Sequence, residues 1–298
     1  MISEQDVAFY NKNGYLVVRN VLSDAEVKEL RRVTESFVEQ ARQVSAHNDI
    51  YDLEDSHSAD DPRVRRIKTP HAHHKSYAKL VAQPNILKIL QALWGPSIRF
   101  DVSKLNLKAA GYGAPVEWHQ DWAFYPHTND DLCAVGIMID DVDETNGPLM
   151  VIPGSHKGPI LDHHADGGYF CGAIDPRRGE VDFEKAIKLT GPAGSVTIHH
   201  ARTIHGSATN TSGRPRRLLL HQYRAADAWP LMAANQPWEA YRNSLISGED
   251  TIDPRMTAVP VRLPLPPAPN QGSIYENQKG STSRYFQTAD DLDAVGDD

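Results

Sequence analysis

The chain has 298 residues, with 31 Lys and Arg against 39 Asp and Glu, for a net charge of −8. That length suits one large domain or two small ones, and 40% hydrophobic with 23% charged residues is ordinary globular usage, which excludes disorder, collagen or coiled coil for the whole chain. An acidic chain repels phosphate backbones, so nucleic acid is not an expected partner.

No run approaches the roughly 20 apolar residues of a membrane span, so no membrane association is expected. The opening MISEQDVAFYNKNGYLVV lacks a basic stretch and does not read as a signal peptide. The two cysteines, Cys133 and Cys171, do not make a disulfide scaffold, and a reducing, cytoplasmic compartment is expected. Histidine, at 14, is over-represented and directs attention to metal ligation.

In chain order, Ser3-Glu4-Gln5-Asp6 opens a short helix with capping-box spacing, Gly14 ends it, and Tyr15 to Val18 reads as a strand. Ser23 and Glu26 form a second capping box. The helix that follows runs to about Gln43, with Val27, Leu30, Val33 and Phe37 on one face. Residues 45–75 are polar, His-rich and without period, which predicts a long loop or lid. Pro84 starts another helix, stopped by Gly95-Pro96.

From residue 97 the period shortens. Alternating runs at 98–102 and 104–108, and apolar runs at 133–140, 149–152, 194–199 and 216–223, predict short strands, with Asn146-Gly147 as a turn. The class is mainly β with flanking helices, a sandwich or barrel, because the helices precede the strands rather than alternate with them. Residues 259–269 (VPVRLPLPPAP) read as a surface connector, and 290–298 as an acidic tail.

The pattern H-x-D occurs at His47/Asp49, His119/Asp121 and His164/Asp166, and only the middle one sits beside short strands. Residues two apart on a strand share a face, so His119 and Asp121 would present an imidazole and a carboxylate to one point. A third ligand completes a 2-His-1-carboxylate facial triad, which leaves adjacent positions of Fe(II) open. His205 is the candidate, with His199 and His200 as rivals. A hairpin through Asn210 to Gly213 would return Arg216 beside His205, where its fork suits a carboxylate. His156, after the turn Pro153-Gly154-Ser155, reads as structural.

These pieces together resemble the phytanoyl-CoA dioxygenase-like family of Fe(II)/2-oxoglutarate oxygenases. They are His119-Gln120-Asp121, Asn146-Gly147-Pro148-Leu149, Val151-Ile152-Pro153-Gly154-Ser155-His156-Lys157, Gly191 to Ser195, His205-Gly206-Ser207, Asn210 and Arg216, with Asn13 to Val18 at the start. The resemblance implies a double-stranded β-helix (a jelly roll, cupin-like) buttressed by N-terminal helices. It implies a single oxygenase domain over 1–298: helical support and lid at 1–96, jelly-roll core at 97–225, and C-terminal extension with acidic tail at 226–298.

It further implies His119, Asp121 and His205 as iron ligands, with 2-oxoglutarate and O2 as cosubstrates. Arg216 would hold the far carboxylate of 2-oxoglutarate, with Ser207 nearby and Asn106, Lys104 and Lys68 as further contacts. Tyr125 or Trp122 would wall the chamber. Ile137 stands where some acyl-CoA-acting relatives carry an aromatic residue beside the cosubstrate. The retained Asp121 argues against halogenation, so hydroxylation of a small molecule, a metabolite or small acid, is the expected reaction. The substrate mouth is expected at 45–75, with His71, His73 and His74, and at 225–250, with Trp229, Met232, Trp238 and Tyr241. A homodimer is compatible with this reading. A non-redox metalloenzyme and a non-catalytic binding module on the same fold are the alternatives.

Overall fold

Ser3 accepts from the backbone of Asp6 and Asp6 reaches back, so the first helix, α1 (Glu4–Asn13), starts where the capping box stands. Gly14, at φ 78°, ends it in the left-handed conformation that glycine tolerates. The chain continues through β1 (Tyr15–Val18), α2 (Asp24–Gln40), β2 (Tyr51–Leu53), β3 (Val64–Lys68), α3 (Pro70–His73), α4 (Lys75–Leu80) and α5 (Pro84–Trp94). The strands β4 (Ile98–Lys108), β5 (Val116–His119), β6 (Leu132–Met138), β7 (Leu149–Val151), β8 (Ile187–Leu189), β9 (Val196–His200), β10 (His205–Ser207) and β11 (Arg216–Ala225) follow. Last come α6 (Trp238–Ser244), β12 (Leu245–Ser247) and α7 (Ile274–Gln278). This computed structural model describes residues 2–232, 237–270, 272–289 and 291–292. Of the predicted acidic tail only Asp291 and Leu292 are among them.

The strands form two antiparallel sheets. The larger has the order β1-β9-β6-β11-β4-β3-β2, with β12 on β4, and the smaller has β5-β10-β7-β8. From β4 to β11 the chain passes repeatedly between the two sheets, which is the winding of a jelly roll. The predicted fold class is therefore correct. Alternation sorts the side chains. Leu105, Leu107, Val135, Ile137, Val196, Ile198 and Leu219 point outward from the large sheet and meet Val27, Leu30, Val33 and Phe37 of α2 in the main core. The intervening residues line the barrel.

Several expectations need correction. Residues 45–75 are not a lid, because β2 and β3 extend the large sheet beyond β4. His71 turns outward, with Nδ1 2.6 Å from the Ser103 hydroxyl, and His74 caps α4. The two alternating runs at 98–108 are one strand. The second helix ends at Gln40, and residues 41–43 tighten into a 3-10 turn. No hairpin joins His205 to Arg216: β10 pairs with β5 and β7, and β11 with β4 and β6, so the chain crosses from one sheet to the other. The 259–269 segment does run as a connector, held where Trp122 Nε1 donates to Pro260 O and Phe170 N donates to Pro266 O. Among the described residues no helix is long and apolar enough to cross a membrane.

Candidate metal centre and cosubstrate cavity

His119 is the last residue of β5, and its Cα partner across the sheet is His205 on β10. Asp121 is not on the strand. It opens a 3-10 turn (Asp121–Ala123) that bends back over the strand end, and the turn is fixed by Trp122 N donating to Ala201 O at 2.8 Å. Gln120, between the two ligands, points away. Its amide donates to Pro159 O and Arg202 O, and its backbone N–H donates to His163 Nε2 at 2.9 Å.

The candidate ligand atoms of His119, Asp121 and His205 all lie within 4.8 Å of one another, and all three side chains are buried. Nε2 of His119 is 3.7 Å and Nε2 of His205 is 3.8 Å from Asp121 Oδ1. The other ring nitrogens are engaged with the backbone: His119 Nδ1 with Glu117 O at 2.8 Å and His205 Nδ1 with Thr203 O at 2.9 Å. An Nδ1–H donated to a carbonyl leaves Nε2 as a lone pair facing the shared point, the arrangement a ligating imidazole needs. Burial, with His119 and His199 alongside, holds His205 well below the usual imidazole range. Burial opposes ionisation of Asp121, but His205, Lys104 and contacts from His119 and His199 outweigh it and keep the carboxylate well below its ordinary range. Two imidazoles and one carboxylate, with one side open to a cavity, match the donor set of a ferrous facial triad.

The rival histidines separate by alternation. His199 faces inward, with Nε2 3.5 Å from Asp121 Oδ2. His200 faces outward, toward Asp130 and His156. His156 is structural, its Nε2 3.2 Å from Asn11 O.

A narrow cavity opens from the triad. Lys104, Asn106, Ser207 and Arg216 line it together with His199, and Val116, Ala134, Leu149, Leu218, Leu220 and Ile274 form the apolar wall. Arg216 is buried, and its Nε and Nη2 donate to Gly147 O at 2.9 and 2.6 Å. Burial lowers the Arg216 guanidinium to about 10. Tyr125 stands beside Asp121 and hydrogen-bonds Gln222, and burial raises its phenol well above the ordinary value.

Lys68, Trp122 and the expected aromatic rim lie elsewhere. Lys68 pairs with Asp52 at 2.9 Å and donates to Asn48 O at 2.8 Å, outside the cavity lining. Trp122 packs in a separate cluster with Leu132 and Phe170. Ile137 faces the helices, and Ala134 is the β6 residue at the cavity. The expected aromatic rim stacks on itself, with Trp229 and Tyr241 centroids 5.4 Å apart, and supplies none of the cavity lining. Sequence reading missed Ile274, because nothing in the C-terminal extension signals a return to the barrel.

The family profile of phytanoyl-CoA dioxygenase (PhyH) matches residues 10–218. The chain belongs to the PhyH family. This PhyH-family chain is 38% identical to a probable alpha-ketoglutarate-dependent hypophosphite dioxygenase from Stutzerimonas stutzeri over 296 residues, covering 96% of the chain and 100% of the relative. It is 31% identical to the L-proline trans-4-hydroxylase of Streptomyces griseoviridis over 254 residues, covering 79% and 91% of the two chains. The crystal structure of EctD from S. alaskensis with bound Fe superposes with a TM-score of 0.66 at 23% identity, covering 89% of each chain, a likeness of fold. The protein is a non-haem iron, 2-oxoglutarate-dependent dioxygenase (alpha-ketoglutarate being the same cosubstrate). The non-redox and non-catalytic alternatives are set aside.

Proposed function

We propose that this dioxygenase oxidises a small monoanion with a P–H bond, hypophosphite or a close analogue, in the cytoplasm. The observation that carries the reading is the charge of the cavity. Lys104 and Arg216 line it against the single carboxylate of Asp121, an excess of one cation. A ferrous ion and the 2-oxoglutarate dianion cancel each other, so the excess remains and a monoanionic substrate neutralises it. The similarity to a hypophosphite dioxygenase along the full length of both chains supports the same class.

His119, Asp121 and His205 would hold the iron. Iron bound there would supply the oxidising chemistry, in which decarboxylation of 2-oxoglutarate is coupled to transfer of one atom of O2 onto the substrate. One P–H becomes P–OH, giving phosphite, succinate and CO2. Arg216, with Ser207 and Asn106 alongside, receives the distal carboxylate. Lys104 has a different task. Its register partner on β11 is Leu220, four residues along from Arg216, a separation of roughly 13 Å. Lys104 is therefore at the Asp121 end of the chamber, where it attracts the substrate anion. The apolar wall around the triad excludes water from the reacting bond.

The test is turnover with hypophosphite, L-proline and ectoine as alternative substrates, scored by succinate and, for hypophosphite, phosphite. Lys104→Met is expected to raise KM for hypophosphite at least tenfold while leaving 2-oxoglutarate binding intact. Succinate release coupled to L-proline or ectoine but not to hypophosphite overturns the substrate assignment.

A further inference from the structure

The PhyH match ends at residue 218, yet the chain returns to the cavity far beyond that point. In α7, Ile274 lines the same cavity as Arg216 and Ser207. Its neighbour Tyr275 is 6% exposed, and the Tyr275 hydroxyl is buried with no hydrogen-bond partner among the described residues. A buried hydroxyl without a partner is costly, and such a group in a native site points to a partner that arrives with a ligand.

The segment is firmly placed. Gln278 accepts from Glu117 N at 3.0 Å and donates to Gly172 O at 2.9 Å, while the Glu117 carboxylate accepts from Tyr285 N at 2.9 Å. Phe286 stacks on Trp118 with centroids 5.4 Å apart. Residues 274–286 thus form a strap clamped to β5, the strand that ends in His119. The Arg65 guanidinium sits 5.3 Å from the centroid of the Tyr275 ring and fixes its outer side.

We propose that this strap completes the 2-oxoglutarate site, with the Tyr275 hydroxyl donating a hydrogen bond to the distal carboxylate alongside Arg216. The inference rests on the cosubstrate reading of Arg216. Burial pushes the Tyr275 phenol up to about 12 against the lowering effect of Arg216, the foremost of the charges acting on it, so the group remains a protonated donor at neutral pH. Arg216 already spends Nε and Nη2 on Gly147 O, so a second donor at the carboxylate supplies what its fork does not.

The experiment is anaerobic titration of the Fe(II)-loaded full chain with 2-oxoglutarate, following the visible charge-transfer absorption, in the unmodified protein and in Tyr275→Phe. A parallel titration uses 2-oxopentanoate, which has the same carbon chain without the distal carboxylate. Tyr275→Phe is expected to weaken 2-oxoglutarate at least tenfold, to leave 2-oxopentanoate unchanged, and to leave Fe(II) affinity and the melting temperature unchanged. An equal loss for both acids assigns Tyr275 a merely structural role and overturns the proposal. So does an unchanged dissociation constant for 2-oxoglutarate in a protein that shows the absorption. If the unmodified protein shows no absorption with 2-oxoglutarate, the cosubstrate reading falls and this inference with it.

Discussion

His119 and His205 are Cα partners across the β5–β10 pairing, with ring centroids 4.0 Å apart. The candidate metal centre is thus built on a strand pair of the small sheet, and Asp121 is added to it by the turn after β5. A site that rests on a sheet ladder keeps its geometry when one side chain is shortened.

Substitution of Asp121 by Ala should therefore leave the fold in place and remove the iron. Loss of a group that merely orients a ligand costs roughly 10–100-fold in metal affinity, so loss of a ligand should exceed that. Fe(II) titration and thermal melting, read together, check it. A variant that binds iron as tightly as the parent would remove Asp121 from the ligand set.

Arg216 is positioned by Gly147, whose carbonyl accepts from two guanidinium nitrogens. Arg216→Ala should weaken 2-oxoglutarate by about 2 kcal/mol or more, roughly thirtyfold. Gly147 has φ 73°, and a Cβ there would lie 2.8 Å from Ala208 O. Gly147→Ala should displace the carbonyl and raise KM for 2-oxoglutarate in the same direction, though Arg216 itself is untouched. An unchanged KM in both variants would remove the carboxylate role of Arg216.

His199 approaches the Asp121 oxygen that His119 and His205 do not share. His199→Phe should lower Fe(II) affinity by roughly tenfold by releasing that oxygen. Anaerobic iron titration measures this directly, and an unaltered affinity would mean that Asp121 is oriented by the other groups alone.

Acid should destabilise the fold through buried neutral histidines. Burial pushes His163, His200 and His221 down to about 3. The unfolded chain takes up these protons near pH 6.5, so between about 6.5 and 3 it binds protons that the folded chain does not. Stability is fully present above that window and falls as pH drops through it, by up to about 1.4 kcal/mol per histidine per pH unit. Thermal melts across pH 7 to 4 should show the slope, and His221→Phe should reduce it. His221 sits in the outer core against Phe100 and Tyr223 and is not part of the cavity lining. An identical slope in that variant would remove His221 from the account.

Local signals were legible wherever the physics is local. The Ser3 and Ser23 capping boxes, the α2 stripe and the Gly14 stop all depend on residues a few positions apart. His205 was also found from sequence, but for a reason that does not hold. The expected hairpin to Arg216 is absent, and the two residues meet because β10 and β11 lie in opposing sheets around one cavity. Residues 45–75 were misread because β2 and β3 are short and polar. A strand of three or five residues leaves too little alternation to see, and its register is supplied by β4.

The sequence alone determined the helical caps, the β-rich class and, through H-x-D, the distant His205 and Arg216, the donor chemistry of an iron and 2-oxoglutarate site. Which donors converge was decided only by the closed barrel. Inward and outward alternation separates His199 from His200 and Ala134 from Ile137, and the C-terminal strap brings Ile274 into the cavity that Arg216 lines. Such contacts join residues far apart in the chain, so they are set by sheet pairing and packing, which no local pattern encodes.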